Sequence, residues 1–230
     1  MRVEQRDHPD YPIEYITGKV TFFGREYSVT PDVLIPRLET ECLIRRARKL
    51  LETEKYDRVI DIGCGSGIIG TSVADLADEV IFVDISASAL EVAKGNFLMY
   101  FPEKRWKFIV SDLLSSIPSN IYNLESRICI LANLPYIKAQ DWKNMSADTH
   151  FEPELALFGW EETGFEMYER LFEHIWSMKC EVCIIIEFGF DQRDRAEKTI
   201  QKYGWKYEFF WDYAGIERFC EVIWYGRLDQ

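Results

Sequence analysis

From about residue 58 onward, short apolar runs alternate with stretches of helical periodicity. A strand that is apolar along its whole length fits a sheet covered on both faces, and helices between such strands connect parallel neighbours. A last aromatic-rich pair of runs, 207–211 and 219–225, fits an antiparallel hairpin at the sheet edge. The pattern therefore predicts an α/β fold with a mostly parallel sheet. The other predicted strands are 58–62, 80–84, 106–110, 128–132 and 182–188, and the predicted helices are 68–76, 87–100, 164–178 and 193–203.

The first 57 residues have a different pattern. Two short runs flank Gly24-Arg25, a glycine-first pair that suits a two-residue hairpin turn. Residues 39–52 then predict a helix with acidic residues in its first turn, and we interpret its basic cluster as a solvated face rather than an RNA-binding patch. We expect residues 1–57 to form a hairpin and a helix packed on a core domain, 58–230. The basic residues of the helix are Arg45, Arg46, Arg48 and Lys49.

The most informative stretch is the turn after the first predicted core strand. Asp61 stands near the end of that strand, and Gly63, Gly65 and Gly67 follow at alternate positions. Glycines let a backbone turn tightly and approach a ligand without Cβ clashes. The spacing is Gly-x-Gly-x-Gly, which differs from the pyrophosphate-binding Gly-x-Gly-x-x-Gly, and the stretch has no Gly-Lys-Ser/Thr of a P-loop. By itself the turn is compatible with two interpretations, a dinucleotide-binding site or a tight turn that binds no ligand.

The ends of the next two strands favour a nucleoside ligand. Asp84 ends the second core strand, about 20 residues after the glycine turn, where an acidic side chain can accept hydrogen bonds from both ribose hydroxyls. Asp112 and Leu113 follow the third strand and place a polar side chain beside an apolar one, which suits the edge and face of an adenine ring. Asp84 alone could simply start the next helix. Three strand ends in series indicate a nucleoside pocket.

The fourth strand ends in Asn-Leu-Pro-Tyr, residues 133–136. An Asn at a strand end followed by Pro and Tyr suits the methylation of a planar nitrogen. Such a nitrogen, in an amide or an exocyclic amino group, is a poor nucleophile because its lone pair is delocalised. The Asn133 side-chain carbonyl and a neighbouring backbone carbonyl can accept its two hydrogens and favour the developing tetrahedral nitrogen. Tyr136 can pack on the flat acceptor, and Pro135 stiffens the loop. Catalysis would then consist mainly of positioning and electrostatics.

Together the motifs resemble the Rossmann-like S-adenosylmethionine-dependent methyltransferases, and in particular the HemK-type release-factor glutamine N5-methyltransferases. The box at 133–136 resembles their Asn-Pro-Pro-Tyr box. The segment 15–41 and the runs 151–159, 186–189 and 212–218 match that family in order, so the resemblance covers nearly the whole chain. It implies a seven-stranded sheet, mostly parallel with an antiparallel edge strand, and a short N-terminal β-hairpin.

The resemblance also implies roles for particular residues. S-adenosylmethionine would be the donor and S-adenosylhomocysteine the product, and the acceptor would be the glutamine of the Gly-Gly-Gln loop of a peptide-chain release factor. Phe22 should line the pocket near that glutamine, and Arg37 and Glu39 should lie close to the active site. The catalytic residues would be Asn133, Pro135 and Tyr136, joined in substrate binding by Leu134. The cofactor-binding residues would be Asp61, Ile62, Gly63, Cys64, Gly65, Gly67, Asp84, Asp112, Leu113 and Asn133.

Two features depart from the family. Leu134 replaces a loop proline, which we expect to be tolerated because any residue supplies the required backbone carbonyl. About 14 residues precede the matching segment, so we expect the usual N-terminal helical recognition domain to be absent.

Composition bears on partners and compartment. The sequence has 27 Lys and Arg and 39 Asp and Glu, which gives a net charge of −12. This charge argues against an extended nucleic-acid-binding surface. We expect no metal site, no membrane partner and a cytoplasmic location, because no ligand cluster, apolar span or signal segment is visible. Two alternative hypotheses stay open: an N6-adenine methyltransferase on RNA or DNA, which shares the Asn-Leu-Pro-Tyr box, and a cofactor-binding subunit that needs a partner.

Overall fold

The computed structural model describes residues 8–122, 126–159 and 162–226. In these ranges the strands are β1 Lys19–Phe22, β2 Arg25–Ser28, β3 Arg58–Ile62, β4 Glu79–Asp84, β5 Arg105–Val110, β6 Arg127–Ala132, β7 Glu181–Glu187, β8 Lys206–Trp211 and β9 Glu217–Trp224. The α-helices are α1 Ile13–Thr17, α2 Thr40–Thr53, α3 Ile68–Val73, α4 Ala87–Tyr100, α5 Glu166–Trp176 and α6 Arg193–Gln201.

Strands β3 to β9 form one sheet in the order β5-β4-β3-β6-β7-β9-β8. The first five strands of this order are parallel, and β9 is antiparallel to both of its neighbours. Strands β1 and β2 form a separate antiparallel hairpin. The predicted fold class is therefore confirmed. In a parallel sheet the carboxyl ends of the strands meet at one edge, which brings the loops after β3, β4, β5 and β6 together.

The central strands are apolar throughout because both faces of the sheet are covered. In β6, Ile128 and Ile130 pack into one hydrophobic cluster, whereas Cys129 and Leu131 pack into the cluster on the opposite face. This is the two-residue alternation of a strand read from both sides. The edge strand β5 is more exposed than the central strands.

The N-terminal hairpin turns one residue earlier than predicted. Phe22 pairs with Arg25, so the two turn residues are Phe23 and Gly24, with φ of 46° and 74°. Two positive φ values are the requirement of a type I′ turn, whose twist matches that of the strands. Glycine therefore occupies the second turn position, and Phe23 adopts a left-handed conformation that side chains other than glycine seldom take. The short helix α1 before the hairpin was not predicted.

One buried asparagine joins this hairpin to the core. Asn96 of α4 is fully buried, and its Oδ1 accepts a hydrogen bond from the Ser28 N–H at 2.7 Å. Its Nδ2 donates to the carbonyl oxygens of Ser28 and Ser66, each at 2.9 Å. A single side chain thus connects β2 with the glycine turn after β3.

The arginines of α2 are paired rather than freely solvated. Arg46 Nε lies 2.6 Å from an oxygen of Glu221 on β9, and Arg48 Nη1 lies 2.7 Å from Asp75. The basic face of α2 therefore fastens the helix to neighbouring elements, which argues further against an RNA-binding patch. No helix in the described ranges combines the length and the apolar composition that crossing a bilayer requires.

Candidate active site

A cavity of about 350 Å³ opens at the carboxyl edge of the sheet, where the loops after four parallel strands meet. Asn133 lies in its wall at the end of β6, and the turn after β3 forms its floor. Most of the predicted cofactor-binding residues thus lie around one space. Those lining it are Ile62, Gly63, Cys64, Gly65, Asp84, Asp112, Leu113 and Asn133.

The glycine turn depends on left-handed backbone at Gly63, Gly65 and Gly67, with φ of 65°, 51° and 74°. A Cβ on Gly67 would lie 2.8 Å from the Cβ of Ala93, so this glycine allows close packing against α4. Gly65 instead faces the cavity, and its N–H donates to Asp84 Oδ2 at 2.9 Å. Gly67 is not among the described residues that line the cavity, and its position is structural.

Asp61 lies behind the turn and does not line the cavity. It is fully buried, and its Oδ2 accepts a hydrogen bond from the Gly70 N–H at 2.8 Å, which fastens the start of α3. Its Oδ1 has no hydrogen-bond partner within the described ranges. Burial, opposed by the Gly70 N–H and reinforced by the Asp84 charge, raises the pKa of Asp61 to about 8.

Asp84 faces the cavity with part of its hydrogen-bonding capacity free. Each of its oxygens accepts one backbone hydrogen bond at 2.9 Å, from Gly65 and from Ser86. A carboxylate oxygen can accept about two hydrogen bonds, so each retains a lone pair for a ligand. Burial raises the pKa of Asp84, although the backbone N–H groups oppose the shift. Its position suits the ribose hydroxyls for which it was predicted.

The segment after β5 presents one charged and one apolar side chain. Asp112 Oδ2 lies 2.6 Å from Arg170 Nη2 on α5, and both residues line the cavity. Leu113 is buried in the cavity wall at φ 50°, a left-handed conformation that costs energy for a branched side chain. The sequence signalled Asp112 and Leu113, but it did not reveal Arg170 as the partner of Asp112.

The Asn-Leu-Pro-Tyr box is held by hydrogen bonds along its length. Asn133 Nδ2 donates to Thr40 Oγ1 at 3.2 Å, and the Leu134 N–H donates to the hydroxyl of Tyr168 at 2.8 Å. The Tyr136 carbonyl accepts from Gln192 Nε2 at 2.9 Å. These contacts fix the loop before any ligand binds.

Gln192 connects three loops through one buried amide. Its Oε1 accepts from the Gly189 N–H at 2.8 Å, and its Nε2 also donates to the Thr163 carbonyl at 2.8 Å. Close packing adds to this anchor, because a Cβ on Gly164 would overlap the Tyr136 carbonyl oxygen. The backbone of the box is therefore rigidly placed.

A second cavity of about 230 Å³ lies on the other side of the box. Asn133, Leu134 and Pro135 line both cavities, whereas Tyr136 lines the second. Arg37 also borders both, and its guanidinium makes two hydrogen bonds of 2.8 Å with the buried carboxylate of Glu152. The box thus forms a partition whose residues line both cavities.

Phe22 lies elsewhere. It packs in a hydrophobic cluster with Tyr27 and Leu43, and it is not among the described residues that line either cavity. The pocket position predicted for Phe22 is therefore not seen in this structure, because its side chain is buried in that cluster, which also includes residues of α2, α3 and α4. Glu39, by contrast, lies near enough to raise the pKa values of Tyr136 and Glu187.

Comparison with known proteins gives a consistent result. The family model described as "Methyltransferase small domain" matches residues 40–151. The release factor glutamine methyltransferase of Koribacter versatilis is 34% identical over 221 residues, which cover 94% of this chain and 75% of that protein. This chain belongs to the release factor glutamine methyltransferase family. The family member of Bordetella pertussis is 35% identical, over 90% of this chain and 76% of its own length.

A solved methyltransferase shares the fold. The magnesium protoporphyrin IX methyltransferase from Synechocystis, solved with bound S-adenosylmethionine, has a TM-score of 0.52 and 14% identity, over 81% of this chain and 80% of that one. Membership of the family makes the chain an S-adenosylmethionine-dependent methyltransferase. The larger cavity fits this cofactor, because it combines the free lone pairs of Asp84 with the apolar wall at Leu113.

Proposed function

We propose that this protein transfers a methyl group to the side-chain amide nitrogen, N5, of a glutamine in the Gly-Gly-Gln loop of a peptide-chain release factor. S-adenosylmethionine is the donor and S-adenosylhomocysteine the product. Family membership supports the reaction, and one structural observation carries the choice of acceptor site. Asn133 stands in the partition between a cavity suited to a nucleoside and a second, smaller cavity.

In this proposal the larger cavity holds the cofactor. Asp84 accepts hydrogen bonds from the ribose hydroxyls, and the adenine lies between Asp112 and Leu113. The turn at Ile62, Gly63, Cys64 and Gly65 contacts the methionine part, with Asp61 and Gly67 supporting the turn from behind. When bound, the cofactor supplies an electrophilic methyl group on a sulfonium.

The box orients the acceptor. Asn133 Oδ1 and the Leu134 carbonyl accept the two hydrogens of the amide nitrogen, which favours the pyramidal geometry that the nitrogen adopts as it bonds to carbon. Tyr136 lies along the smaller cavity, where its ring can pack on the planar amide, and Pro135 restricts the loop. The nitrogen gains a methyl group and releases one proton to solvent. Holding the amide in line accounts for most of the rate enhancement in this scheme.

The test is to incubate the protein with isotopically labelled S-adenosylmethionine and an unmodified release factor, and to locate the label by mass spectrometry. We expect label on the glutamine of the Gly-Gly-Gln loop, and none when that glutamine is replaced by glutamate. Label on another residue would refute the assignment. Efficient methylation of bare RNA at moderate salt would favour the adenine alternative.

Asn133→Ala tests the role of the partition. We expect transfer to fall by about 100-fold or more, because one acceptor for the amide hydrogens is lost. Affinity for S-adenosylhomocysteine, measured by calorimetry, should stay within about threefold, since the nucleoside contacts lie elsewhere. A variant that binds cofactor normally and still turns over at the native rate would contradict the mechanism.

A release factor acts in translation termination. We therefore also assign the protein to the cytoplasm, with the release factor as its protein partner and no direct nucleic-acid substrate.

A further inference from the structure

Thr40 stands next to the side-chain amide on which the proposed chemistry depends. It is the first residue of α2, it is buried, and it lines the larger cavity. Its Oγ1 accepts a hydrogen bond from Asn133 Nδ2 at 3.2 Å. Glu187, the last residue of β7, lies close enough for the Thr40 hydroxyl to lower its pKa.

A hydroxyl group can hold a neighbouring amide in either of two orientations. It has one proton to donate and lone pairs to accept with. If the Thr40 proton points at Asn133, the amide presents its oxygen to Thr40 and its NH2 group to the other side. If the proton points elsewhere, Thr40 can only accept, and the Asn133 oxygen faces away from it. The direction of one proton therefore decides which end of Asn133 meets the acceptor.

Glu187 supplies the alternative destination for that proton. Its side chain is fully buried, and its Oε1 is 3.5 Å from the Tyr136 hydroxyl. Its Oε2 makes no hydrogen bond of ordinary geometry in the described part of the chain, so this oxygen retains capacity to accept one. An ionised carboxylate accepts hydrogen bonds and donates none. The ionised Glu187 can therefore accept a hydrogen bond from the Thr40 hydroxyl, but it cannot donate one to it.

We propose that Thr40 and Glu187 are positioning residues that keep the Asn133 amide with Oδ1 toward the acceptor nitrogen. The inference rests on the proposed function, since only an NH2 acceptor requires an oxygen there. A reversed amide would present its own N–H groups to the N–H groups of the glutamine. Donor would then face donor, and the acceptor would lose the contact that aligns it.

The protonation state of Glu187 gives this arrangement a pH dependence. Burial raises the pKa of Glu187 to about 7, although the Thr40 and Tyr136 hydroxyls and the Arg218 charge oppose the shift. The carboxylate form predominates above that pH, and protonation below it removes the fixed acceptor. The groups that face Glu187 are Glu39, Thr40 and Cys42 from the start of α2, Tyr136 from the box, Tyr168 from α5 and Arg218 from β9.

Two variants of Thr40 separate positioning from packing. Thr40→Val keeps the shape but removes the hydroxyl, and we expect kcat to fall by roughly 10- to 100-fold while the Kd for S-adenosylhomocysteine changes less than about twofold. Thr40→Ser restores the hydroxyl and should recover most of kcat. Equal activity of Thr40→Val and the native protein, or failure of Thr40→Ser to rescue a stably folded enzyme, would overturn the inference.

The pH profile of kcat gives the signature of Glu187. In the native enzyme kcat should fall as pH decreases through about 7. Glu187→Gln retains an oxygen that can accept the Thr40 proton, but it does not titrate, so this acid limb should disappear. A limb of unchanged position in Glu187→Gln would show that another group is responsible and would refute the role of Glu187.

A readout without acceptor distinguishes failure of this inference from failure of the proposed function. The side-chain amide signals of Asn133 can be assigned by their loss in Asn133→Ala, with S-adenosylhomocysteine bound. In Thr40→Val we expect the hydrogen-bonded proton signal to move upfield. If it does not move, the inference fails even where a release factor is methylated. If it moves but no release-factor glutamine is methylated, the proposed function fails and the hydrogen-bond arrangement stands.

Discussion

Asp61→Asn should make the ligand-free protein less sensitive to alkaline pH. The carboxylate of Asp61 is fully buried, and only Oδ2 has a hydrogen-bond partner among the described residues, the Gly70 N–H. Asparagine keeps an oxygen that can accept from Gly70 and removes the buried charge. The substitution therefore isolates the cost of ionising this position inside the protein.

The magnitude follows from the shift in pKa. The pKa of Asp61 rises from 3.8 to about 8 on folding, so the folded state binds the proton more tightly than the unfolded state. Its contribution to stability is complete below pH 3.8 and is lost as pH rises through about 8. Between about pH 5 and about pH 9 the loss integrates to about 4 kcal/mol in the free energy of unfolding, at about 1.4 kcal/mol per pKa unit.

Urea denaturation across this pH range measures the effect. We expect the free energy of unfolding of the native protein to fall about 3–4 kcal/mol further than that of Asp61→Asn. Other buried acids, such as Glu187, titrate in both proteins, and their contributions cancel in the comparison. Asp194→Asn, at a solvent-exposed carboxylate, serves as the control and should follow the native curve. Parallel curves for the native protein and Asp61→Asn would refute the argument.

Three further substitutions test contacts around the site. Arg170→Ala removes the ion pair that holds the Asp112 side chain in place beside the adenine. It should therefore weaken S-adenosylhomocysteine binding, measured by calorimetry, by roughly 3- to 10-fold. Leu134→Pro removes the N–H that donates to Tyr168 and should cost about 1 kcal/mol in urea denaturation, yet kcat should stay within about threefold because the backbone carbonyl remains. Gln192→Leu leaves buried backbone groups of three loops unpaired and should lower the free energy of unfolding by about 2–4 kcal/mol, with loss of turnover.

The strands and the long helices could be predicted because their signal is local. The apolar runs of β3 and β6 and the helical periodicity of α4 fall within a residue of the observed bounds. The hairpin turn was placed one residue late, because the sequence Phe-Gly-Arg allows either a glycine-first or a glycine-second turn. In the observed register Phe22 and Tyr27 are buried in one hydrophobic cluster with residues of α2, α3 and α4, so packing against segments far along the chain favours this turn.

The residues of the site likewise fall into those that a local signal predicts and those that it does not. Residues at the end of a strand or directly after it, such as Asp84 and Asn133, could be selected because the ends of parallel strands meet at one edge of the sheet. The partners that orient them come from distant segments. Thr40 lies in the segment 15–41 that matches the family, but the match gave it no role, and Gln192 lies in none of the matching runs. Glu187 did leave a signal, a charged residue ending the apolar run of β7, but its partners became visible only in three dimensions.

Asn96 has a consequence for how the molecule can be divided. Because this side chain bonds at once to Ser28 of the hairpin and to Ser66 of the cofactor turn, the boundary near residue 57 does not separate independent building blocks. A chimera whose leading segment did not return its backbone to the place of Ser28 would leave Asn96 Oδ1 and one hydrogen of Nδ2 without their partners. Because both groups at residue 28 belong to the backbone, grafts that keep Asn96 and the backbone path of β2 are expected to preserve this connection, whichever side chain stands at position 28.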